Sequence, residues 1–396
     1  MNRKNKIRKN SAVMDKQKQI SLLHDLIQIP TIDDHEKQVV NYLAKLFAPY
    51  GDLVRFTRVP YQGDRESVVI SIGPTDGKFK LGFSGHMDVV NLGDKAAWND
   101  DPFSGKLYDH DSKMFGRGTT DMKSGLAGMI GVFLTLLDEQ VELKGELRLL
   151  ASVGEETGQW GAEELTKEGY VNDLDVLVIG EDSNLNISYA GNGDIDYTVT
   201  SYGKVVRTDQ VGVLNAVDNL MDFIQLANQK LRHLPRVHET LGPVLHNVTM
   251  LSGGDQVNSM PGKVAARANI RINPLYKVSE IQAVLQDVLD EVNQLPKHKL
   301  TIHYDYQGEA VMGDSTNEYI TTAQNLLSKI ADKPIKLITE TGTTDASKFV
   351  QSPNAPTIFV IGPGNESGHL INEYVDIPQY LVACEFYEQF AKHYLC

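Results

Sequence analysis

The chain has 396 residues, a formal net charge of −14, 41% hydrophobic content and two cysteines. That length exceeds what one hydrophobic core usually fills, so two domains are expected. The acidic balance excludes broad nucleic-acid binding, which needs a basic surface, and apolar runs such as Leu174 to Gly180 and Pro356 to Gly362 fall far short of the ~20 residues that cross a bilayer.

The chain opens on MNRKNKIRKNSAVM, which is basic but lacks the apolar core of a secretory signal, so residues 1–13 are expected to form a disordered tail. Two thiols, Cys384 and Cys396, make no disulfide framework, and a reducing cytoplasm is the expected location. From Asp15 to Tyr50, apolar residues recur at helical spacing; Pro30 stops a first helix, and Asp33 or Asp34 is expected to cap a second. DLVRFTRV, SVVISIG and KLGFSGHMDVV then read as strands. GTTDMKSGLAGMIGVFLTLLDEQ is a loop running into a helix, GELRLLASVGEE a strand, GAEELTKEGY a helix and LDVLVIGED a strand. This rhythm predicts an α/β fold, a mostly parallel, largely buried sheet flanked by helices, with charged groups gathered at the strand C-terminal ends where such sheets bind ligands.

Near Ala190 the pattern changes. DIDYTVTSYG alternates as a strand, LNAVDNLMDFIQLANQKL is a helix, HNVTMLSGG and KVAARANIRIN read as strands, and VSEIQAVLQDVLDEVNQL is an amphipathic helix. An α+β insert therefore interrupts the first domain, which resumes with a helix at Asn317, the strand PTIFVIGPG and a closing helix. The expected boundaries are 14–189 and 308–396 for the two parts of the first domain and 190–307 for the smaller insert.

Chemistry gathers at five places. In SGHMDVV, His86 and Asp88 stand two apart at a strand end, as a metal ligand and its orienting carboxylate would, although such pairs are also common without a metal. Asp121 lies between a glycine-rich turn and a helix start, where an ordinary N-cap is equally natural. Glu155 and Glu156 follow a strand that should be buried, and adjacent side chains diverge, so one can bind metal while the other faces substrate as a base. Glu181, with Asp182 beside it, repeats that arrangement, and His369 sits in a polar glycine-rich loop after the strand TIFVI. Desolvating so many acids without a cation is costly. Histidine and carboxylate donors without cysteine suit two divalent ions, zinc first and cobalt or manganese as alternatives.

In order and spacing these segments, with WNDDPF, NSMPG, NIRINP, GTTDASKF and GHLINEYV, resemble the family of co-catalytic zinc aminoacylases, carboxypeptidases and desuccinylases, from about residue 15 to the C-terminus. The resemblance implies His86 and Glu181 on one ion, Glu156 and His369 on the other, Asp121 bridging, Glu155 as general base and Asp88 orienting His86. It further implies that 14–189 and 308–396 form the catalytic domain and 190–307 a lid or dimerisation domain, with substrate contacts from Asn258, Arg271, Gly342 and Thr343 and a homodimer formed through the lid. The implied reaction is hydrolysis of an N-acylated amino acid, N-succinyl-diaminopimelate foremost, with a dipeptide, a C-terminal peptide bond or an N-acetyl amino acid as alternatives. The chain departs from the family in GKVVRTDQVG, where Arg207 takes the position of a lid histidine that helps stabilise the oxyanion. Either Arg207 or one of His233, His238 and His246 takes over that role, or turnover is weakened.

Overall fold

The computed structural model describes residues 15–32 and 34–396, so the expected tail and Asp33 lie outside the described residues. The chain divides into two compact units: one runs to Ile187 and takes in Thr316–Leu337 and Ser352–Cys396, and the other comprises Ser188–Ser315 with Ile338–Gln351.

The first unit has the predicted α/β character. Its strands lie in the order Arg55–Pro60, Glu66–Ile72, Glu146–Ser152, Lys80–His86, Val176–Ile179 and Thr357–Val360. The last four pair in parallel, and the first two add an antiparallel margin. Parallel neighbours need crossover connections, supplied here by helices Lys123–Asp138 and Trp160–Lys167. Because helices cover the sheet, Glu146–Ser152 and Val176–Ile179 are buried along their whole length; Val176–Ile179 reads accordingly as an apolar run, whereas Glu146–Ser152 also buries Glu146 and Arg148, which pair at 2.9 Å.

Register places the strand ends level. His86 pairs with Ser152, Ser84 with Ile179, and Ile179 with Val360. The charged residues that follow these strands therefore emerge at one edge. Helix Lys123–Asp138 reaches that edge through Gly125, where a Cβ would sit 1.8 Å from the Gly180 carbonyl oxygen; only glycine allows the helix so close to the residue before Glu181.

A small antiparallel sheet joins Leu107–Tyr108, Lys113–Phe115 and Tyr374–Asp376, pairing Tyr374 with Phe115. It brings the segment before Asp121 beside the segment after His369. The second helix differs from expectation: Lys37–Phe47 begins after Glu36, and Asp34 does not cap it. His35 turns the chain at φ 72°, which leaves Asp34 upstream, its carboxylate accepting from the His35 amide at 2.6 Å.

The second unit is α+β, as read from the sequence. Its antiparallel strands run in the order Leu245–Gly253, Lys263–Ile272, Gly193–Tyr202 and Leu300–Gly308. Helices Ala216–Arg232 and Val278–Asn293 bury their apolar stripes on this sheet around Tyr197, Phe223, Ile281 and Leu285. The alternating strand Leu300–Gly308 is an addition to the elements expected from the sequence. No helix among the described residues is long and apolar enough to cross a membrane.

Candidate metal centre

Five side chains from five separate segments of the first unit meet at the strand-end edge. His86 closes its strand fully buried, and its Nδ1–H donates to the main-chain carbonyl of Asp88 at 2.9 Å, which leaves Nε2 pointing into the cluster. His86 Nε2 stands 2.9 Å from Asp121 Oδ1 and 3.6 Å from Glu181 Oε1. On the other side of Asp121, Oδ2 lies 3.0 Å from His369 Nε2, which is also 3.1 Å from Glu156 Oε2. One carboxylate thus separates a His86/Glu181 pair from a His369/Glu156 pair. The capping alternative for Asp121 falls away, because helix Lys123–Asp138 is preceded by Met122 and has no side-chain cap.

Asp88 orients His86 through its carbonyl; its carboxylate oxygen is farther from the ring, at 3.7 Å. The two carboxylate oxygens instead accept from the amides of Glu155 and Glu156, each at 3.1 Å. Asp88 therefore ties the Glu155–Glu156 turn to the His86 strand. Gln159 Nε2 donates to Glu155 Oε1 at 3.1 Å and sets that carboxylate's orientation. Ligand-type atoms of Glu155, His86 and Glu181 lie within 4.8 Å of one another, so Glu155 borders the cluster.

The charges are unbalanced in a way a cation corrects. Burial raises the pKa of Glu181 well above the carboxylate range, and burial also raises that of Glu156. Burial opposes protonation of His86, but the charges of Glu181 and Asp121 outweigh it and hold the imidazole pKa well above its ordinary value. Hydrogen bonds to Asp121 and Glu156 raise His369 to about 11. Burial works to raise Asp121 as well, yet the two histidines overcome it and hold the carboxyl far below its usual range. Three carboxylates and two imidazoles, with no thiol, fit a pair of divalent cations taking the place of these protons.

Two residues of this neighbourhood carry no metal-ligand signal in the sequence. Arg117 and Glu373, both buried, form an ion pair at 2.7 Å between the Asp121 loop and the His369 loop. Both lie in segments that carry the family resemblance, yet neither stands at a strand end or beside another acid.

The remaining candidates lie in the second unit. Asn258 is exposed beside the short strand Ser259–Met260, which pairs with Val206–Arg207. The Thr208 amide donates to the Asn258 carbonyl at 3.3 Å, so Arg207 and Asn258 lie at one two-stranded antiparallel ladder. The Arg207 side chain is 82% exposed and pairs with Asp209 at 2.8 Å. Arg271 pairs with Asp194 at 3.0 Å, and Gly342 and Thr343 lie in the segment Ile338–Gln351. His246 is not available as an oxyanion donor. It is buried in its own unit's core, stacked on Tyr197 and bonded to the Tyr197 hydroxyl at 2.7 Å and Asn228 Oδ1 at 2.9 Å, and burial pushes its pKa down to about 4. His233 bonds the Gln229 carbonyl, and His238 Nδ1 accepts from the Thr240 and Leu241 amides.

Residues 82–393 match the pattern of peptidase family M20/M25/M40. A Staphylococcus epidermidis protein named probable succinyl-diaminopimelate desuccinylase is 33% identical over 411 residues, covering 97% of this chain and 99% of that protein. The fold is similar to that of an M20 family metallo-carboxypeptidase from Sulfolobus solfataricus, with a TM-score of 0.78 at 18% identity over 96% of this chain and 99% of that one. It is also similar to a Bacillus subtilis protein described as a dinuclear metal-binding peptidase of the M20 family, with a TM-score of 0.69 at 15% identity over 95% and 97% of the two chains. With the family pattern spanning both the His86 strand and the His369 loop, and a relative matched over nearly its whole length, this chain belongs to peptidase family M20/M25/M40.

Proposed function

We propose that the chain hydrolyses the amide bond of an N-acylated amino acid, with N-succinyl-diaminopimelate the leading substrate. The observation that carries this reading is the Asp121 carboxylate, with one oxygen 2.9 Å from His86 Nε2 and the other 3.0 Å from His369 Nε2. His86 and Glu181 would hold one divalent ion, Glu156 and His369 the other, and Asp121 would bridge them. When bound, such ions acidify water and polarise a carbonyl oxygen. Glu155 takes the proton of the attacking water on its carboxylate and delivers it to the leaving amine nitrogen. Gln159 keeps the carboxylate oriented for both transfers, and Asp88 keeps its main chain in place.

The substrate class rests on the resemblance and on the Staphylococcus epidermidis relative. In this reading Asn258, Arg271, Gly342 and Thr343 of the second unit contact the substrate, and Arg207 stands for the missing lid histidine. The test is an assay of zinc-loaded protein on N-succinyl, N-acetyl and dipeptide substrates, with hydrolysis of N-succinyl-diaminopimelate the expected result. Cleavage of dipeptides alone would move the chain among peptidases. No hydrolysis of any of them with two ions bound would leave a metal-binding protein without turnover.

Two copies are proposed to pair along Leu245–Gly253. Among the described residues this is an edge strand of its sheet, so one row of its amide and carbonyl groups lacks a neighbouring strand there, and Met250 and Leu251 are 57% and 65% exposed. Light scattering is expected to give a dimer mass that falls to that of a monomer in Met250→Lys/Leu251→Asp. A monomer mass for the unaltered protein would remove the pairing.

A further inference from the structure

The two histidines of the metal centre are held by very different means. His86 is fixed by its own buried strand, whereas the side chain of His369 is 53% exposed, on a loop, at a φ of 62°. Nonglycine residues occupy that backbone region only when the surroundings hold them there. The holding groups are visible. The Arg117 guanidinium donates through NH2 to the carbonyl of His369 at 3.3 Å and to that of Asn91 at 3.0 Å. Through NH1 it donates to the carbonyl of Leu370 at 3.2 Å and to Glu373 Oε2 at 2.7 Å.

Glu373 completes the connection from the other side. Its Oε2 also accepts from the Gly118 amide at 3.1 Å, and its Oε1 accepts from the amides of Thr120 at 2.8 Å and Asp121 at 3.1 Å. Every one of these partners is a donor. Glutamine has the same shape but would turn an NH2 toward a pair of N–H groups, so only a carboxylate satisfies them all. The pair therefore spans the interval between Asp121, which would be shared by both ions, and His369, which would serve one.

We propose that Arg117 and Glu373 are positioning residues that set the distance between His369 and Asp121, and that Arg117 acts chiefly on the His369/Glu156 ion, whose histidine it holds directly. The inference rests on the two-ion reading of the site. Lysine at position 117 keeps the buried positive charge but lacks the fork that reaches four acceptors in two directions.

The experiment is zinc titration by calorimetry, with metal content after gel filtration and a circular dichroism melt as a folding control. Arg117→Lys is expected to bind one zinc about 10–100-fold more weakly and the other with a much smaller loss. Two backgrounds separate positioning from general structural damage. In His86→Ala, adding Arg117→Lys should weaken the remaining ion by that factor; in His369→Ala the loss should be much smaller, because only the Glu373 contact to the Asp121 amide is left to transmit it. Glu373→Gln, which disturbs the amide of the shared ligand, should weaken the remaining ion in both backgrounds. Arg117→Lys with two ions at unaltered affinity, or equal losses in the two backgrounds, would overturn the inference while leaving the two-ion reading intact. If the unaltered protein takes up no zinc, the two-ion reading fails, and the inference fails with it.

Discussion

Glu155→Gln is expected to lower turnover by about 10²–10⁴-fold while both ions stay bound and KM changes little. The prediction follows from the difference between two adjacent acids. Glu156 meets His369 at 3.1 Å and belongs to the ligand cluster, whereas Glu155 Oε1 is held by Gln159 at 3.1 Å. Glutamine preserves volume and can keep a contact to Gln159, yet it cannot accept and return a proton. The Asp88 carboxylate bonds the amides of Glu155 and Glu156 rather than their side chains, so the turn itself should survive. Metal content together with kcat and KM checks this; zinc lost along with activity would place Glu155 among the ligands and remove it as the base.

Asp121→Asn is expected to abolish hydrolysis by a different route, with neither ion retained after gel filtration. Asp121 approaches both His86 and His369, at 2.9 and 3.0 Å, so its charge serves both halves of the centre. A chelator-treated comparison gives a second, pH-dependent expectation. In the folded metal-free chain the two histidines hold the Asp121 carboxyl below its usual range, overcoming the opposing effect of burial. A carboxyl depressed in this way stabilises the fold above its unfolded pKa, near pH 4, and that stabilisation is lost as the pH falls through the depressed value. The melting temperature of chelator-treated Asp121→Asn should therefore lie below that of chelator-treated unaltered protein near neutral pH, with the gap closing in acid. A gap that widens in acid would contradict the ionised carboxylate, and full zinc content in the variant would contradict bridging.

Glu156, Glu181 and His369 were legible as candidates because each follows a largely buried strand rich in apolar residues, and the charges that follow such a strand stand at the sheet edge. His86 was legible for the same reason. Asp121 was ambiguous, since a polar residue before a helix is an ordinary cap. Its place between two histidines depends on contacts with residues 35 positions earlier in the chain and far later, near the C-terminus.

The sequence by itself determined the α/β class, the interruption by an α+β insert and the strand-end acids, because side-chain periodicity and the cost of burying charge are local properties. Tertiary structure alone decided that Asp88 holds a turn with its carboxylate, that Arg271 pairs with Asp194, and that His246 lies in its own unit's core. It alone decided the Arg117–Glu373 connection too. Those two residues are 256 positions apart, and most of their partners are main-chain amides and carbonyls, which every residue carries and no sequence pattern distinguishes.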